Sequence, residues 1–554
     1  MIYQENPPIK YLAVLVLILA FVVIYSPWNL GIRELLSEEG RYAAISLETK
    51  FLTPSTMAHG EIFPYYYPLY PWLVAGTYKI GFSHEMGLRL VSILSLAGIA
   101  ITVFVTSKRI SGLQTAVVSA AAMMSSFIVM GKGIDGNPFV TAVFFLLLGW
   151  LTWYTNGVVK GDWNLAWITG AIFCTLAFYT IGWIAIFYFF LPLIFMRRPM
   201  TIWKKLSNYG FKIGIAIIII FVSLLVFPRF AVVIQHPFLS EDISNIIPAN
   251  YLSSLLTYPL ELLWRVMPWT IAFWPAFCVA YYPLDKNPIF SRFLRTIFFT
   301  LFVFMWISPS KDSRTIILLL PALSILCGIN YWLLVRRNGF VLKIILNVLT
   351  AIFVLISLFS LLLFLLPNCV WTNNFFILLN KSLFKNGVGF FSVYRIMGII
   401  QTAAAAVLGI GAIYFRKRIK IWLYFLFVSV IFMLFFWGII IPYRSQSNEA
   451  KNTAARIIAD IGEDYSRDMT IFEGNDISDI YVLGTYLGCN IRKIPDYSML
   501  PEELKDVYVF ALSTPIFTER HWTKISSPIY KNKIITLWKG TKLNKRLTAA
   551  AEDI

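Results

Sequence analysis

The sequence predicts a polytopic α-helical membrane protein of about thirteen transmembrane helices with a small α/β domain at its C-terminal end. Hydrophobic residues make up 58% of the 554 residues and charged residues only 14%, so most of the chain faces lipid or other buried helices. Apolar runs long enough to cross a bilayer recur along the chain, with basic residues in the short loops between them. Beyond residue 442 the composition becomes that of a soluble domain.

The chain carries a net charge of +18. In a soluble protein such a charge indicates nucleic-acid binding, but here the basic residues lie in loops that flank apolar runs. That distribution is typical of topology signals, so we expect membrane lipids and no nucleic acid among the partners.

Thirteen apolar runs are long enough, or nearly long enough, to be spans. A tight pair in the first half of the chain is joined through Gly182. The runs cover residues 11–27, 88–107, 114–130, 138–154, 165–178, 181–196, 211–227, 260–281, 293–307, 315–334, 341–366, 391–415 and 422–441.

The loops between these runs alternate in charge, which predicts their sides. Basic loops fall on one side, and the longer, more acidic loops fall on the other. With a cytoplasmic N-terminus, an odd number of spans places the C-terminal domain outside, in the periplasm or the exterior. We therefore expect a multi-pass protein of a bacterial cytoplasmic membrane, with a membrane domain at 1–442, an outer-face catalytic loop at 28–87 and an extracytoplasmic domain at 443–554.

The C-terminal domain shows alternating helical and strand patterns. Residues 448–461 and 477–488 have helical patterns, while 469–474, 507–513 and 532–540 have strand patterns. No glycine-rich phosphate fingerprint opens any of these helices, so we expect an accessory role for this domain.

Acids and an arginine follow the first span, in the stretch SEEGRYA. Charges held at a membrane surface are costly, so Glu38, Glu39 and Arg41 indicate a site. The alternative is a helix start, in which Ser37 is the cap, the acids interact with the helix dipole and Glu38 pairs with Arg41.

A second acid, Asp135, follows the third span on the same predicted side, where its alternative role is a cap or turn residue before Pro138. Lys311 and Arg314 lie in a later loop on that side. Carboxylates activate a hydroxyl nucleophile, and cations stabilise a leaving phosphate, so together these residues favour a transferase site.

Two further groups of residues lie in the outer loops. Three histidines and a nearby acid allow a divalent metal site, although no spacing enforces one and solvated loop histidines are the alternative; they are His59, His84, His236 and Glu241. Tyrosines in and before the run PYYYPLYPW are expected to line an interfacial cavity; they are Tyr42, Tyr65, Tyr66, Tyr67 and Tyr70.

These motifs resemble those of the C-type (GT-C) membrane glycosyltransferases that use polyprenyl-phosphate sugars, in particular the aminoarabinose transferases of lipid A and the protein O-mannosyltransferases. In that family a motif of the form Asp-Glu-x-Arg-Tyr-Ala follows the first span, and SEEGRYA matches it with Glu38 in place of the aspartate. A second aspartate matches Asp135, and a Pro-Leu-x-x-Trp element matches Pro68, Leu69 and Trp72. The resemblance covers nearly the whole chain.

The resemblance implies an inverting transfer of a hexose or pentose from polyprenyl (undecaprenyl) phosphate. Glu38, Asp135 and Glu39 are the expected catalytic residues, and Arg41, Lys311 and Arg314 are expected to bind the donor phosphate. The acceptor is a lipid, glycan or protein, with lipid A or lipopolysaccharide expected, and no cofactor is required. Residues 64–69 read PYYYPL where the aminoarabinose transferases have Phe-Glu-Lys-Pro-Pro-Leu, so the sugar is left open.

Two other classes of function remain as alternatives. A transporter or flippase of lipid-linked saccharides also needs many spans, but its charges belong near the middle of the membrane. The second alternative is a structural or assembly protein that binds partners through its C-terminal domain. This hypothesis gives no role to the acids Glu38 and Asp135.

Overall fold

The computed structural model describes residues 33–50, 53, 56–63, 66–197, 202–235, 251–309, 312–365, 395–440, 448–474, 480–494, 500–501, 504, 506–512, 520–531 and 533–542. The predicted first span, 11–27, lies outside these residues. The chain divides into two compact units. The membrane unit contains residues Arg89–Phe227 and Ile234–Gln446, and the C-terminal unit contains Arg33–Leu88, Pro228–Val233 and Ser447–Ile554. Most of the predicted catalytic loop therefore packs with the C-terminal residues.

The loop segment of the C-terminal unit folds into two helices and a hairpin: α1 (Ser37–Glu48), β1 (Met57–Ala58), β2 (Glu61–Ile62) and α2 (Leu69–Lys79). The hairpin turn is His59-Gly60, and both residues have positive φ, which matches the twist of a two-residue turn. The Glu48 carboxylate accepts hydrogen bonds from the N–H groups of His59 and Gly60 at 2.6 and 3.0 Å. Helix α1 therefore holds the hairpin turn.

Fourteen α-helices follow in the described chain before the C-terminal domain, and most are apolar. Many carry an exposed apolar face, as α9 does with Ile219, Phe221 and Leu224, which suits contact with lipid. The helices are α3 (His84–Ser111), α4 (Leu113–Met124), α5 (Phe127–Lys132), α6 (Pro138–Tyr154), α7 (Trp163–Ile181), α8 (Trp183–Ile194), α9 (Tyr209–Gln235), α10 (Tyr251–Arg265), α11 (Thr270–Phe277), α12 (Pro288–Ile307), α13 (Ile316–Ile329), α14 (Tyr331–Leu365, bent at Asn338), α15 (Arg395–Tyr414) and α16 (Ile421–Phe435).

Seven helices in the described part of the chain are long and apolar enough to cross a membrane, and four more apolar helices are shorter. This agrees with the predicted class, a polytopic α-helical membrane protein. The longer helices are α3, α6, α7, α9, α12, α14 and α15, and the shorter apolar ones include α4, α8 and α16.

Two predicted spans are each divided into two helices. The run 260–281 covers the end of α10, which begins at Tyr251, and all of α11; the two helices are separate because Pro268 has no N–H to continue a helix. The run 114–130 forms α4 and α5, separated at Ser125 and Ser126. The two breaks contact each other: the Trp269 indole N–H donates to Ser125 Oγ at 2.7 Å, and the Phe127 N–H donates to the Met267 carbonyl at 2.9 Å.

The C-terminal residues of the C-terminal unit form a mixed sheet with two helices, as the sequence predicts. The five-stranded sheet contains β3 (Thr470–Glu473), β4 (Asn490–Lys493), β5 (Asp506–Ala511), β6 (Arg520–Ser526) and β9 (Thr536–Lys542), in the order β4-β3-β5-β9-β6. Strand β3 pairs parallel with β4 and β5, and β9 pairs antiparallel with β5 and β6. Phe472, Val507 and Val509 belong to its core. The other elements are α17 (Glu449–Ile461), α18 (Tyr481–Leu487), β7 (Ile529–Tyr530) and β8 (Lys533–Ile534).

Candidate active site

The two acids of SEEGRYA lie in the first turn of α1 and have different surroundings. Glu39 is 2% exposed; its Oε1 accepts a hydrogen bond from Arg33 Nη2 at 3.1 Å, and its Oε2 accepts one from the Leu36 N–H at 2.9 Å. Glu38 is exposed. These contacts hold Glu39 at the helix start, and its catalytic role stays a prediction, as does that of the exposed Glu38.

Arg41 follows one turn later and contacts two aromatic side chains. Its Nη1 donates a hydrogen bond to the Tyr66 hydroxyl at 2.9 Å. Its guanidinium carbon lies 5.3 Å from the ring centroid of Tyr481, the first residue of α18, which is a cation–π arrangement. The guanidinium is therefore oriented by both the loop and the C-terminal residues of the same unit.

The predicted cavity tyrosines are mostly packed against one another. Tyr42 lies edge-on to Tyr66 and Tyr70, with ring centroids at 5.2 and 5.7 Å. Tyr70 is fully buried and donates a hydrogen bond to the Leu88 carbonyl at 2.9 Å, so its hydroxyl serves the packing of the loop. Tyr67 is half-buried, and Tyr65 lies outside the described residues.

The histidines were predicted only as weak metal candidates. His59 is buried, and its Nδ1 lies 2.6 Å from Glu473 Oε2 on β3. His84 begins α3 and lies edge-on to Tyr78 at 5.1 Å. His236 and Glu241 lie outside the described residues. Among the residues that are described, no group of three or more His, Cys, Asp or Glu side chains is placed to hold a metal ion.

Further contacts, which the sequence analysis missed, hold the loop to the C-terminal residues. Glu34 Oε1 accepts a hydrogen bond from the Ala450 N–H at 2.6 Å, at the N-terminus of α17. The Leu35 N–H donates to the Tyr486 hydroxyl at 2.9 Å, and Lys451 Nζ lies 2.6 Å from Glu85 Oε1. No sequence pattern marks these partners, because they lie hundreds of residues apart in the chain.

The carboxyl group of Glu34 has a shifted pKa. Burial is the largest effect on the Glu34 carboxyl and raises its pKa above the usual value. The Ala450 N–H and the nearby Lys451 act in the opposite direction and favour the charged form. The net result is a pKa above that of an exposed glutamate.

Asp135 lies in the membrane unit, in the turn between α5 and α6. It is buried, and its Oδ2 lies 3.7 Å from Lys132 Nζ. The cap of α6 is Asn137, whose side chain accepts a hydrogen bond from the Phe139 N–H at 2.8 Å. Asp135 is therefore not the cap of α6 but does lie in the turn before Pro138, as the other half of its alternative role has it, and its role as a site residue stays a prediction.

Arg314 lies before α13 in the membrane unit, while its predicted partner Lys311 is outside the described residues. Arg314 Nη1 lies 3.8 Å from Asp312 Oδ2, and the Arg314 N–H donates to Asp312 Oδ1 at 2.9 Å. Tyr258 Oη lies 3.4 Å from Thr315 Oγ1 at the same turn. The start of α13 therefore carries the Arg314 cation with the Asp312 carboxylate beside it, and the hydroxyls of Tyr258 and Thr315.

Comparisons with known proteins identify the fold. No family model matches this sequence, and the search of curated proteins found no match. The chain is similar to the structure of ArnT from Cupriavidus metallidurans bound to undecaprenyl phosphate, with a TM-score of 0.70, 16% identity and coverage of 96% of this chain and 98% of ArnT. The apo structure of the same ArnT has a TM-score of 0.69 and 15% identity, and the likeness covers 96% of this chain and 98% of that one. The predicted resemblance is thereby confirmed for the fold.

Proposed function

We propose that this protein is an integral-membrane glycosyltransferase that moves a sugar from polyprenyl phosphate to an acceptor on the outer face of a bacterial cytoplasmic membrane. The observation that carries the proposal is the likeness of nearly the whole chain to ArnT, whose structure was determined with undecaprenyl phosphate. The placement of SEEGRYA on α1, with Glu38 exposed and Arg41 oriented by two aromatic side chains, supports it.

In the proposed reaction Glu38 is the general base. Its carboxylate takes the proton of the acceptor hydroxyl, and the acceptor oxygen attacks the anomeric carbon from the face opposite the phosphate. The bond from the anomeric carbon to the phosphate oxygen breaks, and polyprenyl phosphate leaves with the bonding electrons. The configuration at the anomeric carbon is therefore inverted.

Arg41 is proposed to bind the donor phosphate and to stabilise the charge that develops as it leaves. A guanidinium forms paired, charge-assisted hydrogen bonds with phosphate oxygens, and these strengthen where water is scarce. We also propose that Arg314 binds the donor phosphate and that Asp135 is the second catalytic acid. Both assignments rest on the sequence resemblance. We propose lipid A or lipopolysaccharide as the acceptor.

The test is label transfer from a mixed pool of radiolabelled polyprenyl-phosphate sugars in membranes. Glu38→Gln and Asp135→Asn keep the size of each side chain and remove its basicity, so we expect each to lower transfer by roughly 100-fold or more at equal expression. Glu463→Gln changes an exposed carboxylate in the turn after α17 and should leave transfer unchanged.

The fraction that receives the label names the acceptor class: lipid, glycan or protein. Transfer that survives both substitutions would show that the catalytic residues are misplaced. No transfer by the wild type, together with movement of donor lipid across the bilayer, would favour the transporter or flippase.

A further inference from the structure

Arg41 is oriented by residues from two distant parts of the chain. Tyr66, from the loop after β2, accepts its hydrogen bond at 2.9 Å, and the ring of Tyr481 on α18 lies 5.3 Å from its guanidinium carbon. A hydroxyl and an aromatic ring can together hold a guanidinium in one orientation. Both contacts are therefore compatible with an arginine that receives an anion.

The close packing of α1 on α18 brings Tyr481 to this position. Gly40, next to Arg41, faces the backbone of Val482: a Cβ at this glycine would lie 2.8 Å from the Val482 nitrogen and 2.8 Å from its Cα. Tyr481 also packs against a buried cluster formed by Ala44 and Ile45 of α1 together with Ala58. The ring of Tyr481 is thus fixed relative to the helix that carries Arg41.

The Tyr481 ring has further support from the hairpin. The His59 ring lies 4.6 Å from it and is itself held by Glu473 at 2.6 Å, and Phe63 lies edge-on to it at 6.1 Å. Such surroundings restrict the rotamers of Tyr481. Restricting a partner in advance lowers the entropy that is lost when the long Arg41 side chain is held in one orientation.

We propose that Tyr481 is a positioning residue for the donor phosphate: it holds Arg41 in the orientation that binds a polyprenyl phosphate, so that the C-terminal residues complete this part of the site. The inference rests on the proposed function, in which Arg41 binds that phosphate. It gives the C-terminal domain a defined part in the site, which it exerts through Arg41.

The experiment measures binding of two lipids to the purified full-length protein in detergent: undecaprenyl phosphate, and undecaprenol, which lacks the phosphate. Tyr481→Leu removes the aromatic ring, and we expect it to weaken binding of undecaprenyl phosphate by about 3- to 30-fold. Arg41→Gln should weaken it by roughly 10- to 100-fold. Neither variant should change undecaprenol binding, because only the phosphate interacts with Arg41.

Two variants separate positioning from a general effect on folding. Tyr481→Phe keeps the ring and should bind undecaprenyl phosphate as the wild type does. Tyr508→Leu removes a buried tyrosine from β5 of the same unit, whose hydroxyl donates a hydrogen bond to Asp464 Oδ2. This variant should still bind undecaprenyl phosphate in preference to undecaprenol. If Tyr481→Leu unfolds, Tyr481→Met provides the ring-free side chain with greater flexibility.

The outcomes distinguish this inference from the proposed function. A loss of phosphate preference in Tyr481→Leu or Tyr481→Met, with recovery in Tyr481→Phe, supports the inference. If Arg41→Gln loses the preference and the ring-free variants keep it, the inference is overturned while the phosphate role of Arg41 stands. If Arg41→Gln binds both lipids as the wild type does, the phosphate role of Arg41 and the positioning role of Tyr481 are both overturned.

Discussion

At the scale of single residues, the two adjacent acids of SEEGRYA illustrate how neighbours acquire different roles. Glu39 is buried, and its two oxygens hold Arg33 and the Leu36 N–H, whereas Glu38 is exposed on the first turn of α1. Both oxygens of Glu39 therefore accept hydrogen bonds at the helix start, whereas the Glu38 carboxylate is at the surface. The exposed member, Glu38, is therefore the better candidate for the base.

Glu34 allows a prediction about pH and stability. Because its pKa is raised in the folded protein, mainly by burial, the folded state keeps this proton at pH values where the unfolded chain has lost it. Its contribution to stability is therefore present at low pH and is lost as the pH rises through the raised pKa. Glu34→Gln keeps an oxygen acceptor for Ala450 and removes the titration.

We therefore expect the melting temperature of the wild type, relative to that of Glu34→Gln, to fall as the pH rises from the ordinary glutamate value of 4.5. Thermal unfolding of both proteins across a pH series measures this difference. Glu463→Gln, at an exposed carboxylate, is measured alongside as the control for a Glu→Gln substitution. A difference that is constant or grows with pH would contradict the buried environment of Glu34.

At the scale of elements, the contact between α1 and α18 connects the loop to the C-terminal residues. Glycine is required at position 40 because the backbone of Val482 approaches where a side chain would stand. The same helix α1 also holds the hairpin turn through Glu48. Helix α1 therefore carries Glu38 and Arg41, packs against α18 and holds the hairpin turn.

Gly40→Ala tests this contact. The added methyl group must displace α18, so we expect a loss of about 1–3 kcal/mol in the free energy of unfolding and weaker binding of undecaprenyl phosphate. A Cβ at Gly76 in α2 would meet no atom within 4 Å, so Gly76→Ala is the matched control and should be neutral or stabilising. Thermal unfolding and lipid binding of the two variants provide the comparison. Equal behaviour would show that α1 and α18 do not pack as described.

At the scale of the whole molecule, local patterns predicted the class of fold and most elements. Long apolar runs predicted spans that the structure contains as α3, α6, α7 and α12, because crossing a bilayer requires about 20 apolar residues wherever the helix packs. Alternation of apolar residues likewise predicted β3 and β5 of the C-terminal sheet. The strand β4 was missed because its residues, NIRK, are mostly polar.

The contacts around the candidate site were not predictable from the sequence. Leu35 contacts Tyr486, which lies 451 residues later, and Arg41 contacts Tyr481. Such pairs depend on the three-dimensional packing of α1 on α18, and one sequence carries no local sign of them. The roles of all the predicted site residues stay predictions, and Tyr65, Lys311, His236 and Glu241 also lie outside the described part of the chain.

The central claim is that this protein cleaves the bond between a sugar and polyprenyl phosphate with Glu38 as the base. The most direct measurement is release of polyprenyl phosphate from a sugar-charged donor by the purified wild type, Glu38→Gln and Glu463→Gln in the presence of a membrane-lipid acceptor fraction. We predict release by the wild type and by Glu463→Gln, and a decrease of roughly 100-fold in Glu38→Gln. Equal release by all three proteins would contradict the role of Glu38 as the base. No release by the wild type with any donor would contradict the proposed reaction.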